Sequence, residues 1–317
     1  MSAANPAVKS AAQNAAAPRS KRSRVLQRTK VGGALAATVA LALYSTAGPN
    51  GVRVALAAGL LLGLWGLVEA DRIGLTRRRG ATFAAAAAAV VGALLTFAWL
   101  DPASPRQLPV DWTEAARYWR GLGLVAAGGL AAALLGSLPG IAAGAPALER
   151  RRALPTWLIA AWFALPLLAL APLRHALGVG GLVAFLVLAK VGDIAGYYVG
   201  NAIGETHPFP RISPGKTTAG CVASLVAGVL AGVAVQLGGL LPAPTLGLAS
   251  GALAGLFVNL AAQAGDLFES AAKRRVGVKD AATTFGPSGG MLDLVDSLLV
   301  AGPVALVTWP FLFHWAL

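Results

Sequence analysis

Apolar stretches of about 20 residues recur along this chain, separated by short polar or charged segments. A helix of that length crosses a hydrocarbon core of roughly 30 Å. About nine spans are predicted, over 31–47, 52–70, 80–100, 122–145, 154–173, 178–199, 220–241, 245–264 and 296–316. The expected fold class is therefore all-α, a polytopic membrane helical bundle with about nine transmembrane helices. The run Gly136-Ser137-Leu138-Pro139-Gly140 can break the fourth span or make it re-entrant.

Charge in the connecting segments supports this division. Going from odd to even spans, the loops hold Arg53, then Arg106, Arg117 and Arg120 offset by Asp101, Asp111 and Glu114, then Arg174. Going from even to odd, they hold Arg72 and Arg77 to Arg79, then Arg150 to Arg152, then Arg211 and Lys216, then Lys273, Arg274, Arg275 and Lys279. Basic residues favour the cytoplasmic side, so the amino terminus and the charged loops are predicted to be cytoplasmic and the carboxyl terminus external. The membrane is the inner, or cell, membrane in this reading. Residues 1–30 carry seven basic residues and no acidic one, and are predicted to be a disordered cytoplasmic tail. A signal peptide is the weaker reading, because the polar stretch before the first span is long.

Composition changes the picture in one respect. The chain has 317 residues, 56% hydrophobic and only 12% charged, with a mean hydropathy of +0.68. A soluble globular domain of this size does not need so much apolar surface. A formal charge of +13 suggests nucleic acid, but the basic residues cluster between apolar spans. They are read as a topology signal and a face toward anionic lipid, and nucleic acid is not an expected partner. Cys221 is the single cysteine, and His175, His207 and His314 have no ligand-like spacing.

Against this background, Gly265 to Ser297 stands out, with five acidic and four basic side chains in 33 residues. Charge near a bilayer is costly and persists mainly for function. Asp266, Glu269, Ser270 and Lys273 fall at offsets that share one helical face. Carboxylates on such a stripe bind a hard cation, while the cation and the lysine neutralise phosphate oxygens. A salt-bridged, solvated helix end is the plainer account. Lys279-Asp280 opens a loop that ends Gly286-Pro287-Ser288-Gly289-Gly290, whose amides can cradle an anion. Asp293 and Asp296 then open the last span, where helix capping is an equal explanation. Lys190, Asp193 and Tyr197 lie within an apolar span. Ser213, Lys216, Thr217 and Thr218 follow in a loop that offers a cation and hydroxyls for phosphate. It lacks the upstream glycines and the preceding strand of a P-loop.

Together these segments resemble the phosphatidate cytidylyltransferase (CDP-diacylglycerol synthase) family. Its signature runs S-x-x-K-R, four residues, K-D, then a short loop to H-G-G-x-x-D-R-x-D. Ser270, Lys273, Arg274, Lys279, Asp280, Gly289, Gly290, Asp293 and Asp296 match it in register. The lead-in matches at Gly265, Asp266, Leu267 and Glu269. Upstream, Asp193 to Gly200 resembles D-x-x-A-Y-x-x-G, and Ser213 to Gly220 resembles S-P-x-K-T-x-E-G. Glu69 is a weaker match in the first half. The chain departs from the pattern at Ser288 for His, Leu294 for Arg, Ala219 for Glu and Asn201 for Arg, with milder changes at Thr218 and Gly196.

The resemblance implies transfer of a cytidylyl group from CTP to phosphatidate or another lipid phosphate, with Mg²⁺ as cofactor and the bilayer as setting. It implies Asp266, Asp293 and Asp296, then Asp193 and Asp280, as metal ligands. Asp293, Asp296, Lys273 and Lys279 are the implied catalytic residues. Ser213, Lys216, Thr217, Ser270, Arg274, Gly289 and Gly290 are the implied phosphate binders. A homodimer is compatible with this reading. The implied organisation is a tail over 1–30, transmembrane helices over 31–175, and a catalytic transmembrane region over 176–317 with its signature at 265–297. The departures motivate an alternative, a catalytically degenerate relative that binds lipid or nucleotide. A CTP-dependent isoprenoid-lipid kinase and a transporter are further alternatives.

Overall fold

The computed structural model describes residues 44, 50–75, 86–87, 89–94, 162, 166–282, 284–285 and 289–313. Within them the fold is helical: α1 (Gly51–Arg72), a 3-10 turn (Pro166–Ala169), α2 (Leu170–Ile203), α3 (Thr218–Leu237), α4 (Leu248–Arg275) and α5 (Met291–Leu312). All five α-helices are long and apolar enough to cross a membrane. They correspond to the expected spans at 52–70, 178–199, 220–241, 245–264 and 296–316. The expected tail, the spans at 31–47 and 122–145 and most of those at 80–100 and 154–173 lie outside the described residues.

Helix boundaries differ from expectation: α4 runs on to Arg275 past the expected end at 264, α5 begins at Met291 ahead of 296, and the segment before 178 is helical. A loop was predicted between residues 173 and 178, yet helix continues to Gly178 and resumes directly after it. Gly178 alone makes the break, with φ of 69° and ψ of −170°. Only glycine enters that region without strain, so one residue does the work of a short loop.

Helix α4 lies centrally, packed along α3 and α5, while α2 covers α3 and α1 covers α2 and α5. In lipid the hydrophobic effect does not press helices together, so close contact depends on small residues. A Cβ on Gly255 would run into the Gly228 carbonyl, and one on Gly232 would run into the Gly251 carbonyl. The Gly251/Gly255 pair thus forms the α3–α4 seam. Trp309 closes the core of α5, edge-on to Phe185 and Phe313.

The end of α4 is written in its sequence. Gly277 takes φ of +80°. The Val278 amide donates to the Lys273 carbonyl and the Gly277 amide to that of Arg274, each at 3.1 Å. This Schellman arrangement ends the helix with Lys273, Arg274 and Arg275 in its last turn, where the helix dipole favours cations. Antiparallel packing then gathers the C-terminal halves of α1, α2 and α4 and the N-terminal ends of α3 and α5 at one end of the bundle.

Candidate active site

At that end, five carboxylates and three lysines interlock. Asp266 and Glu269 come from α4 and Asp296 from α5, and one oxygen of each lies within 4.8 Å of the others. Gly265 makes this meeting possible, because its missing Cβ leaves room for the Asp296 carbonyl. The glycine just before Asp266 therefore brings α5 down onto the α4 carboxylates.

Each lysine holds a different edge of the cluster. Lys216, from the α2–α3 loop, pairs with Asp266 at 2.6 Å. Lys273 pairs with Glu269 at 2.7 Å and also with Asp293. Lys190 lies 3.9 Å from Asp193 and 4.0 Å from Asp296. With Asp193, Asp266, Glu269, Asp293 and Asp296 ionised, the formal surplus is two negative charges. A divalent cation would balance it.

Glu269 is the observation that favours a cation over a plain salt-bridge network. It is 1% exposed; its Oε2 pairs with Lys273 at 2.7 Å, and its Oε1 has no hydrogen-bond partner among the described residues. Its contact with Lys273 offsets charge without satisfying Oε1. A buried, unpartnered carboxylate oxygen is costly, and one facing two further carboxylates fits a hard, oxygen-seeking ion. Sequence reasoning put Glu269 on the right helical face but left it out of the ligand set. The i, i+3 spacing from Asp266 was the available signal.

The other implied residues fall into distinct places. Asp293 sits beside the carboxylate trio. Its Oδ2 accepts from the Gly290 amide at 2.6 Å and the Ala281 amide at 3.4 Å, while Oδ1 takes Lys273. It thereby anchors the glycine loop to the start of α5. Gly289 takes φ of +81° and places its backbone against the Asp293 carboxylate. Ser270 donates to Asp266 Oδ1 at 3.3 Å. Thr217 is buried and caps α3, its hydroxyl accepting from the Gly220 amide at 3.1 Å. Arg274 is exposed and ties the α2–α3 loop to α4 by donating to the Ile212 carbonyl at 3.3 Å. Ser213 lies in the turn that precedes Lys216. Lys279 and Asp280 are exposed, Asp280 is not part of the carboxylate trio, and Ser288 is outside the described residues.

Glu69 does more than its weak sequence match suggested. It is 1% exposed and lies on α1, 223 residues from its partner. Its Oε2 accepts from the Leu292 amide at 2.9 Å and its Oε1 from the Trp65 indole at 3.1 Å. Gly290, at the N-cap of α5, has no side chain to cap the helix, and a Cβ there would collide with Glu69. Two carboxylates, Glu69 and Asp293, therefore take over capping from different sides.

Lys216 lies outside the membrane-spanning helices. Burial pulls its pKa down, but the charge and hydrogen bond of Asp266, helped by Asp193, prevail and raise it above the usual lysine value of 10.5. A raised lysine pKa stabilises the folded state fully below the unfolded value and loses that effect as pH climbs through the folded one. The Lys216–Asp266 link therefore persists across the neutral range.

Lys273 allows a direct check on this electrostatic reading. Lys273→Met would leave Glu269 buried without its cation, at an expected cost of about 3–5 kcal/mol. A large drop in the thermal unfolding midpoint in detergent is the expected result.

With this geometry in view, the match to known sequences is informative. A sequence model of the cytidylyltransferase family matches residues 26–312. The chain belongs to the cytidylyltransferase family. This cytidylyltransferase-family chain is 40% identical over 125 residues to the phosphatidate cytidylyltransferase of Aquifex aeolicus, covering 39% of this chain and 44% of that protein. It is 38% identical over 111 residues to the enzyme of the same name from Bacillus subtilis, covering 35% and 40%. It is 39% identical over 154 residues to that of Pseudomonas aeruginosa, covering 48% and 54%. In these alignments the chain spans about half the length of the curated relatives it matches. Family membership agrees with the resemblance read from the signature, and the bundle is that of an integral membrane protein.

Proposed function

We propose that this protein transfers the cytidylyl group of CTP to phosphatidate, forming CDP-diacylglycerol and releasing pyrophosphate. The observation that carries the reading is the Asp266–Glu269–Asp296 trio, with its unpartnered buried oxygen, ringed by lysines. An oxygen of the lipid phosphate attacks the α-phosphorus of CTP. The bond from that phosphorus to the β-phosphate bridging oxygen breaks, and pyrophosphate leaves with the electron pair. Both reactants are anions, so the site must lower their repulsion before it can position them.

Asp266, Glu269 and Asp296 would hold Mg²⁺. When bound, the ion supplies positive charge to the triphosphate. Lys216 and Lys273 already face the cluster on flexible stems. Their ammonium groups are freed to face phosphate oxygens once a divalent ion on the carboxylates takes over part of the charge balance that the lysines now provide. Asp293 and Glu69 hold the start of α5, and with it Asp296, in register. The lipid enters sideways between helices while the nucleotide arrives from the cytoplasm, the side assigned by the basic loops.

Purified protein supplied with CTP, Mg²⁺ and phosphatidate is expected to release pyrophosphate and form CDP-lipid in a metal-dependent manner. Asp293→Asn is expected to reduce this about a hundredfold, through loss of its bond to Lys273 and of the loop anchor. Pyrophosphate release with neither lipid nor metal requirement would refute the reading. Nucleotide binding without turnover would mark the degenerate relative. Phosphorylation of an isoprenoid alcohol would mark the kinase.

A further inference from the structure

Lys190 is the one member of the cluster that the signature does not contain. It projects from the apolar middle of α2 onto the first turns of α5. Its Nζ donates to the Leu294 carbonyl at 2.8 Å and to Ser297 Oγ at 2.6 Å. It also lies about equally far, 3.9 and 4.0 Å, from a carboxylate on its own helix and one on α5. The oxygen of Asp296 that faces it, Oδ1, also accepts from the Ser297 amide at 2.5 Å.

Two features separate this from an ordinary structural ion pair. Both hydrogen bonds go to neutral groups of the turn that carries Asp296, so the ammonium is tied to backbone and hydroxyl and is not collapsed onto either carboxylate. The charge is thereby fixed in space at the edge of a site with surplus negative charge. Position 294, where the signature has arginine, here offers leucine and contributes only its carbonyl, to Lys190.

We propose that Lys190 is a positioning residue, the fixed cation of the acidic cluster. It holds the Asp296 turn in place and limits how tightly the cluster grips a divalent ion. The inference rests on the reading that the trio binds such an ion. A site that gripped its metal more tightly would leave less of the ion's charge for phosphate oxygens and would bind pyrophosphate and metal together for longer. A tethered ammonium prevents this without blocking a coordination position. In this role Lys190 also supplies, from the neighbouring helix, a positive charge that the α5 sequence lacks at Leu294.

The test is Mn²⁺ affinity, measured by electron paramagnetic resonance on the full chain in detergent, alongside CDP-lipid formation. Lys190→Gln keeps a donor for Leu294 and Ser297 and removes the charge. It is expected to bind Mn²⁺ about three- to tenfold more tightly, since one repelling charge near the ion is gone, while turnover falls. Lys190→Arg, which keeps the charge, is expected to retain wild-type Mn²⁺ affinity. Leu294→Arg adds charge to the same turn while leaving the carbonyl contact in place, and is expected to weaken Mn²⁺ binding. It tests the proposal even if the glutamine chain fails to fold. A purely structural lysine would predict unchanged or weaker binding in Lys190→Gln, and that result would overturn the proposal. So would unchanged or tighter binding in Leu294→Arg. If wild type does not bind Mn²⁺, the metal reading falls and this inference with it. If wild type binds but the variants do not shift as stated, only the inference falls. Absence of CDP-lipid with the expected Mn²⁺ shifts would instead refute the cytidylyl-transfer reading alone.

Discussion

Asp296→Asn is expected to abolish divalent-cation binding and CDP-lipid formation while leaving a folded protein. Asp296 is the only member of the trio that comes from α5, since Asp266 and Glu269 share α4. Without its charge, the remaining two ligands lie on a single helix, and the ion no longer links the two halves of the site. Changes to groups that merely support a metal ligand cost 10–100-fold in affinity, so loss of a ligand should cost at least about a hundredfold. Asparagine keeps an oxygen to accept the Ser297 amide, so the turn itself should survive. Mn²⁺ titration and a CDP-lipid assay on the same preparation make the check. Retained Mn²⁺ affinity would show that the trio is not the metal site.

Gly265→Ala should do comparable damage without touching any ligand. Its new Cβ would collide with the Asp296 carbonyl and crowd Ser297. Both obstacles are backbone in packed helices, so relief requires α4 and α5 to move apart. Overpacking of this kind costs about 1–3 kcal/mol. The functional loss should exceed what that destabilisation explains, because a displacement near 1 Å at a reacting centre can cost about 10²-fold. The expected result is a modest fall in the unfolding midpoint together with a large fall in kcat at a temperature where the protein remains folded. Full activity in Gly265→Ala would mean that the α4–α5 approach does not define the site.

These two residues show how unevenly the site could be read from sequence. Asp266, Asp293 and Asp296 stand out because charge is rare in an apolar chain and because they fit a spaced signature. What each does was not legible. Asp293 and Asp296 are three residues apart on one helix, yet Asp293 spends both oxygens on Lys273 and the glycine-loop amides, while Asp296 turns to the α4 carboxylates. The helical face is common to both; the neighbours on α4 make the difference. Glu269 stood on the carboxylate stripe in the sequence but outside the ligand set that the resemblance implied, because a carboxylate four residues before a lysine looks like an ordinary surface pair. Its burial, which changes that meaning, comes from α5. Glu69 carried only a weak motif match, and its capping role was not legible because its partner is an amide 223 residues away.

The sequence by itself determined the helical class, the existence and order of the five described spans and the family signature. Each of these depends on local chemistry: apolar run length and side chains at fixed offsets. The tertiary structure alone decided which carboxylates meet, which lysine faces which acid, and which glycines are contact points. Those outcomes depend on distances between helices, which close packing sets and no short-range pattern encodes. Gly178 lies between the two cases. Its residue type allowed a break, and only the packing of the flanking helices made it a one-residue break in place of the expected loop.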